Sequence, residues 1–171
     1  MLVYVCVCNF GLKKMKIKIL CVGKIKEKYF TDAIEEYTKR LGRFCKVEIV
    51  EVAEYTSHKT DLSPAEIDKI KQNEGKDLLA KLEGFGICLD IGGKQFASEE
   101  LASKIDEIKN TNSTITFVIG GSFGMDEKVK NACKMKMSFG KCTYPHQLMR
   151  VILCEQVYRA FMINSGSAYH K

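Results

Sequence analysis

The sequence predicts an α/β fold: a parallel-type sheet covered by helices on both faces. Three observations point there. Segments with strand patterning and segments with helical spacing alternate from one end to the other, which is the pattern of parallel strands joined by crossover helices. The chain has 171 residues, 46% of them apolar, with only 2 prolines and no low-complexity tract, so it can bury a core as one domain. No period of about 20 to 50 residues repeats along it, which argues against a solenoid.

The elements follow in order. "KIKILCVG" (16–23) alternates lysine with isoleucine, then becomes wholly apolar, and reads as a strand. From Phe30, apolar residues recur at Ala33, Ile34, Tyr37 and Leu41, the spacing of one helix face. "KVEIVEV" (46–52) alternates again as a strand, and polar residues 53–62 form a loop. "SPAE" (63–66) is a helix start, with Ser63 as cap, Pro64 at the first position and Glu66 closing a capping box. Ile67, Ile70, Leu78, Leu79 and Leu82 continue it. "FGICLDI" (85–91) is a strand. Ser98 is read as the cap of a helix carrying Leu101, Ile105 and Ile108. "TITFVI" (114–119) is a strand, and a helix is expected over about Asp126 to Met135. "SFGKCTY" (138–144) is expected to be short and extended. Pro145 precedes a last helix with Met149, Ile152, Leu153, Val157 and Phe161.

The formal charge of +6 fits a nucleic-acid partner without demanding one. Lys13, Lys14, Lys16, Lys18, Lys24, Lys26 and Lys28 crowd one stretch, which a solvated face explains equally well. The eight cysteines include no C-x-x-C pair, so zinc spacing is absent and no metal is expected. Free thiols in this number point to a reducing, cytoplasmic setting. Residues 1–14, "MLVYVCVCNFGLKK", are apolar but too short to span a bilayer, and their lysines follow the apolar run instead of preceding it. They read as an appendage to a single domain over 15–171, with an extra strand as the competing view and no membrane partner.

Ligands of parallel α/β sheets sit at the carboxyl ends of strands. Three such ends fall in the second half: after Ile91, at Gly120, and around Tyr144. In "TFVIGGSFGMDE" (116–127) an apolar run stops at two glycines, with a third at Gly124. A dinucleotide fingerprint needs G-x-G-x-x-G after the first strand and an acid about 20 residues later. Here the pattern is G-G-x-x-G after a late strand, and Lys141 stands where the acid should be. No G-x-x-x-x-G-K-[ST] loop exists either. A plain turn remains open, as does close backbone approach to some other ligand.

Taken together, "LDIGGKQFAS" (89–98), "FVIGGSFG" (117–124), "SFGKCTYPHQLMRVILCEQVYRAF" (138–161) and the closing "AYHK" (168–171) resemble the bacterial 23S rRNA pseudouridine-N3 methyltransferases of the SPOUT class. The resemblance runs from Met15 to Lys171. It implies a carboxyl-terminal trefoil knot, which periodicity could not propose. It also implies S-adenosyl-L-methionine as cofactor, a homodimer, and 23S rRNA in the ribosome as substrate, methylated at N3 of a pseudouridine. By the same resemblance Leu89, Gly120, Gly121, Phe139, Gly140, Lys141, Cys142, Thr143 and Tyr144 line the cofactor pocket, and Tyr169 and His170 lie beside the target base.

Methylating N3 requires loss of its imino proton, so a histidine titrating near neutrality suits His170, although a terminal histidine is ordinarily a surface residue. Arg150, on the first turns of the last helix, is expected to hold a phosphate or stabilise a deprotonated base, against the plainer reading of a surface arginine. Arg159 follows Glu155 by four residues, and a helical ion pair explains it. His146 is as readily a packing residue as a catalytic one, and Asp90 a loop cap as readily as an acid. A non-catalytic RNA-binding module using the lysine-rich face is the alternative. A nicotinamide-dependent oxidoreductase is disfavoured by the missing fingerprint.

Overall fold

Period-two side chains on the first strand divide the molecule into its two layers. The computed structural model describes residues 14–57, 61–167 and Tyr169. Its elements are β1 (Lys16–Val22), α1 (Lys28–Leu41), β2 (Lys46–Val52), α2 (Pro64–Lys81), β3 (Phe85–Gln95), α3 (Ser98–Thr111), β4 (Thr114–Ile119), α4 (Glu127–Ala132), β5 (Met135–Ser138) and α5 (His146–Asn164). The strands form one sheet in the order β2-β1-β4-β3-β5, and every pairing is parallel. Ile17, Ile19 and Cys21 of β1 point into a core completed by α1, α3 and α5. Leu20 and Val22 point the other way, against Leu78 of α2 and Val129 of α4. The fold class read from the sequence is therefore the one observed. Cys21, Cys88 and Cys154 are buried within it as small apolar residues.

The capping box at α2 forms as the sequence predicts. The Glu66 backbone N–H donates to Ser63 Oγ, and the Ser63 N–H donates to the Glu66 carboxylate at 2.9 Å. At α3 the cap is one residue earlier than predicted. Ala97 holds the N-cap position and Ser98 is already helical, while Glu100 accepts from the Ala97 N–H at 2.8 Å. The glutamate sets the boundary, because it reaches back three residues whatever occupies the cap.

A larger difference lies between residues 126 and 144. The helix expected up to Met135 ends at Ala132, and the following strand is Met135–Ser138 instead of 138–144. Lys134, Met135, Lys136 and Met137 alternate polar and apolar, a strand period that the helical reading overran. Residues 139–145 form a strandless loop into α5.

β5 pairs with β3 in two stretches, at Ile87–Leu89 and again at Lys94–Gln95. Residues 90–93 between them leave the ladder as a bulge. Such bulges redirect side chains next to functional sites. Here the displaced residues include Asp90 and Ile91, at the carboxyl-side end of the sheet.

Of the lysine-rich stretch, Lys16 pairs with Glu48 and Glu83, and Lys18 is buried with its ammonium on the Lys81 carbonyl and Glu83. Lys28 pairs with Asp32. Lys24 and Lys26 are exposed on the connection after β1. The run is thus not one free basic face. The proposed appendage, residues 1–14, lies outside the described residues except for Lys14. No helix among the described residues is long and apolar enough to cross a membrane.

Candidate functional site

A cavity of about 910 Å³ opens at the carboxyl ends of β3, β4 and β5. Leu89, Gly120, Gly121, Phe139, Gly140, Cys142, Thr143 and Tyr144 all border it. Lys141 does not; it is exposed on the loop between its two lining neighbours. The cavity wall also holds Met137 and Met149, which the sequence did not mark as site residues, and the bulged pair Asp90 and Ile91. Of the three strand ends read from the sequence, the one at Gly120 is as read; the cavity meets β3 at its bulge, before that strand ends at Gln95, and its third wall is the strandless loop that follows β5.

The glycine turn has an internal explanation. A Cβ at Gly120 would stand 2.9 Å from the Gly124 carbonyl oxygen, inside the turn itself. A Cβ at Gly121 would stand 2.7 Å from Glu74 Oε2 of α2. The Gly124 N–H donates to the Gly121 carbonyl at 3.0 Å, and Gly124 has φ of +88°, which other residues rarely adopt. The glycines are therefore required by the chain's own packing, whatever the backbone also offers to a ligand. Beyond β5, the Ser138 hydroxyl accepts from the Gly140 N–H at 3.1 Å and donates to the Gly140 carbonyl at 2.9 Å. That clamp sets the start of the loop forming the cavity's other side.

Charge on the wall is confined to a few groups. Lys130 sits 2.7 Å from Asp90 Oδ2, and the Gly92 N–H donates to Asp90 Oδ1 at 2.8 Å. Hydrogen bonding from Lys130 holds the Asp90 carboxyl below the usual aspartate range. His146, the first residue of α5, borders the cavity half-buried. Burial, then the nearby Arg150 cation, lower its pKa below the ordinary histidine value, so it is neutral at neutral pH.

Arg150 is not at the surface and does not border the cavity. It is completely buried. Nη1 donates to Glu51 Oε1 at 2.7 Å, and Nη2 donates to the carbonyls of Val22 and Gly23 at 2.7 and 2.8 Å. The guanidinium thus ties α5 to the end of β1 and to β2. These contacts correct both sequence readings of Arg150, as a surface residue and as a group free to meet phosphate or base. The sequence could not reveal this, because the partners lie up to 128 residues away.

Tyr169 folds back on α5. Its ring meets Tyr158 edge-on with centroids 5.0 Å apart, Arg159 lies 5.0 Å from its centroid, and its hydroxyl donates to Glu155 at 3.4 Å. Arg159 and Glu155 also form the expected helical ion pair at 2.6 Å. Met149 is the α5 residue on the cavity wall nearest to Glu155 in sequence, and at about 1.5 Å of rise per residue Glu155 is about 9 Å along the helix from it. Tyr169 does not border the cavity of its own chain. His170 lies outside the described residues.

Residues 15–170 match a family model described as a predicted SPOUT methyltransferase. The chain is 52% identical over 160 residues to a protein named ribosomal RNA large subunit methyltransferase H from Lactobacillus delbrueckii subsp. bulgaricus, covering 92% of this chain and 100% of that protein. A protein of the same name from Streptococcus uberis is 53% identical over 161 residues, with the same coverage. Among solved structures, a putative methylase family protein from Neisseria gonorrhoeae superposes with a TM-score of 0.51 at 11% identity, covering 95% of this chain and 89% of that one. That likeness speaks to the fold alone. With the family model matched across nearly the whole described domain, and relatives this similar over their full length, the chain belongs to the SPOUT methyltransferase family.

Proposed function

We propose that this protein methylates N3 of a pseudouridine in large-subunit ribosomal RNA, acting on the ribosome as a homodimer in the cytoplasm, with S-adenosyl-L-methionine as methyl donor. The observation that carries the reading is the convergence of Leu89, Gly120, Gly121 and residues of the 139–144 loop on one cavity at the strand ends. The cavity suits such a cofactor. Leu89, Phe139 and Met149 offer apolar surface, the glycine turn and the 140–144 loop offer backbone groups, and Asp90 with Lys130 offers paired charges to a zwitterionic tail. The carboxyl-terminal trefoil knot follows from family membership.

When bound, the cofactor supplies an electrophilic methyl group. The chain's own task is to present the base and take the N3 proton. His146 is neutral at the cavity wall and able to accept one. His170 is the second candidate. Since Tyr169 packs beside Glu155 and Tyr158 of its own α5, the adjoining His170 serves the cavity of a second copy more readily than its own. That is the physical reason for favouring a homodimer. Arg150 acts in this reading as a positioning residue, holding the start of α5 against β1. Exposed Lys24 and Lys26 adjoin that helix start, where the Lys26 N–H donates to Gln147 at 3.1 Å, and they are suited to RNA phosphate.

Calorimetric titration with S-adenosylmethionine tests the proposal, followed by methylation of ribosomes. Tight binding and transfer to large-subunit RNA are expected. Absence of cofactor binding in folded protein would favour the non-catalytic RNA-binding module, a reading weakened by the pairing of Lys16, Lys18 and Lys28 with acids.

A further inference from the structure

Glu74 of α2 is a buried acid that the site described above does not use. It is 3% exposed. Its Oε1 accepts from the Tyr55 N–H at 3.2 Å, and its Oε2 has no hydrogen-bond partner among the described residues. No cation among the described residues pairs with it. Buried polar atoms without partners are few in native proteins, and a bare carboxylate is among the costliest.

Burial and the neighbouring Glu54 charge make ionisation harder, and further acids lie close by. Glu54, next to Tyr55 on the loop after β2, accepts from the Ser122 hydroxyl at 3.2 Å. Asp77, one turn along α2, accepts from the Tyr55 hydroxyl at 3.1 Å. Asp126 packs against α2 at Gly75, and Asp61 borders the same small cavity as Glu54 and Glu74. The titratable groups among these are all acids apart from the tyrosine. Burial, then the Glu54 charge, push the Glu74 carboxyl up to about 7, against a single stabilising backbone hydrogen bond.

The position of the carboxyl gives this a consequence. Oε2 lies only 2.7 Å from where a Cβ on Gly121 would stand, and Gly121 also borders the large cavity. The glycine turn therefore both borders the cavity and rests closely on Glu74. We propose that Glu74 is a positioning residue for the cofactor turn: lodged between the loop after β2 and Gly121, its uncharged carboxyl holds the turn in its binding shape. Ionised, the same group must reach water through the smaller cavity lined by Glu54, Tyr55 and Ser122, and that movement withdraws support from Gly121. The inference rests on the pocket holding the cofactor as proposed above.

The test is the affinity for S-adenosylhomocysteine, measured by calorimetry from about pH 6 to pH 8.5 on the full chain and on Glu74→Gln. Glutamine keeps the shape and an oxygen for the Tyr55 N–H but cannot ionise. If only the uncharged form is competent, wild-type affinity should fall about 30-fold at a pH about 1.5 units above the Glu74 midpoint. Glu74→Gln should stay flat over the same range, apart from the ligand's own titration, which both proteins share. A wild-type profile without slope, or a parallel loss in the variant, would overturn the proposal. No binding by wild type at any pH would overturn the cofactor reading of the pocket, and this inference with it. Should Glu74→Gln fail to fold, the amide resonances of Tyr55 and Gly121 in the wild type must move together with a midpoint near 7. Independent or pH-insensitive shifts would refute the coupling.

Discussion

Replacing Arg150 by methionine separates a structural arginine from a substrate-binding one. The substitution keeps the apolar bulk of the side chain and removes three hydrogen bonds, to Glu51, Val22 and Gly23. The two carbonyls end β1 beneath a completely buried guanidinium, so no water replaces it readily. Glu51 is partly open, with its side chain 30% exposed, and can recover some hydration. Breaking a buried ion pair from one side typically costs about 3–5 kcal/mol, and the lower half of that range applies because Glu51 is not sealed. For a domain of this size each kcal/mol lowers the melting temperature by about 2–4 °C, so a drop of about 6–16 °C is expected. Arg150→Lys should recover only part of the loss, since an ammonium cannot present the planar fork that meets three acceptors. Thermal melts with urea titrations measure this directly. A melting temperature for Arg150→Met within about 2 °C of wild type, a shift that corresponds to less than about 1 kcal/mol, would refute the structural assignment. If ribosome methylation were abolished at the same time, the arginine would have to be returned to the substrate.

Other perturbations test neighbouring parts of the reading. Gly121→Ala should lower both stability and S-adenosylhomocysteine affinity, because its Cβ would stand 2.7 Å from Glu74 Oε2; unchanged values for both would show that the turn yields freely. Glu74→Gln should be more stable than wild type above about pH 7 and gain nothing at acidic pH. The folded carboxyl is raised to about 7 from an ordinary 4.5, so wild-type stability is complete below the ordinary range and is lost as pH climbs through 7; melts across pH would show an opposite trend if the group were ionised in the fold. Removing Ala168 to Lys171 should leave cofactor affinity near wild type while ribosome methylation falls by about a hundredfold or more, and full activity would take the tail out of the mechanism. Mixing that tail-less chain with one carrying Gly121→Val should restore activity if tail and cavity work across two copies; no recovery in proven mixed dimers would mean that they act within one chain.

Local information was sufficient for much of this protein. The alternation in "KIKILCVG", the helical stripe from Ala33 to Leu41 and the Ser63–Glu66 box are settled by residues within a few positions of each other, and they appear as read. Three late segments could be named as site elements because parallel sheets present ligands at strand ends, although only the end of β4 falls where the sequence put it. Where residue types compete locally, the reading slipped: "KMKMS" took strand pairing with β3 over the extension of α4. What only the tertiary structure decided is the work of charged residues whose partners are remote in sequence. Arg150 has the sequence setting of an exposed helix cation and is instead sealed between β1, β2 and α5, 99 and more residues from its partners. Glu74 has the setting of a solvated helix acid and instead lies beneath Gly121, with no cation among the described residues paired to it. Periodicity records which side of an element faces the core, but the cost of burying a charge depends on what the rest of the chain brings to meet it.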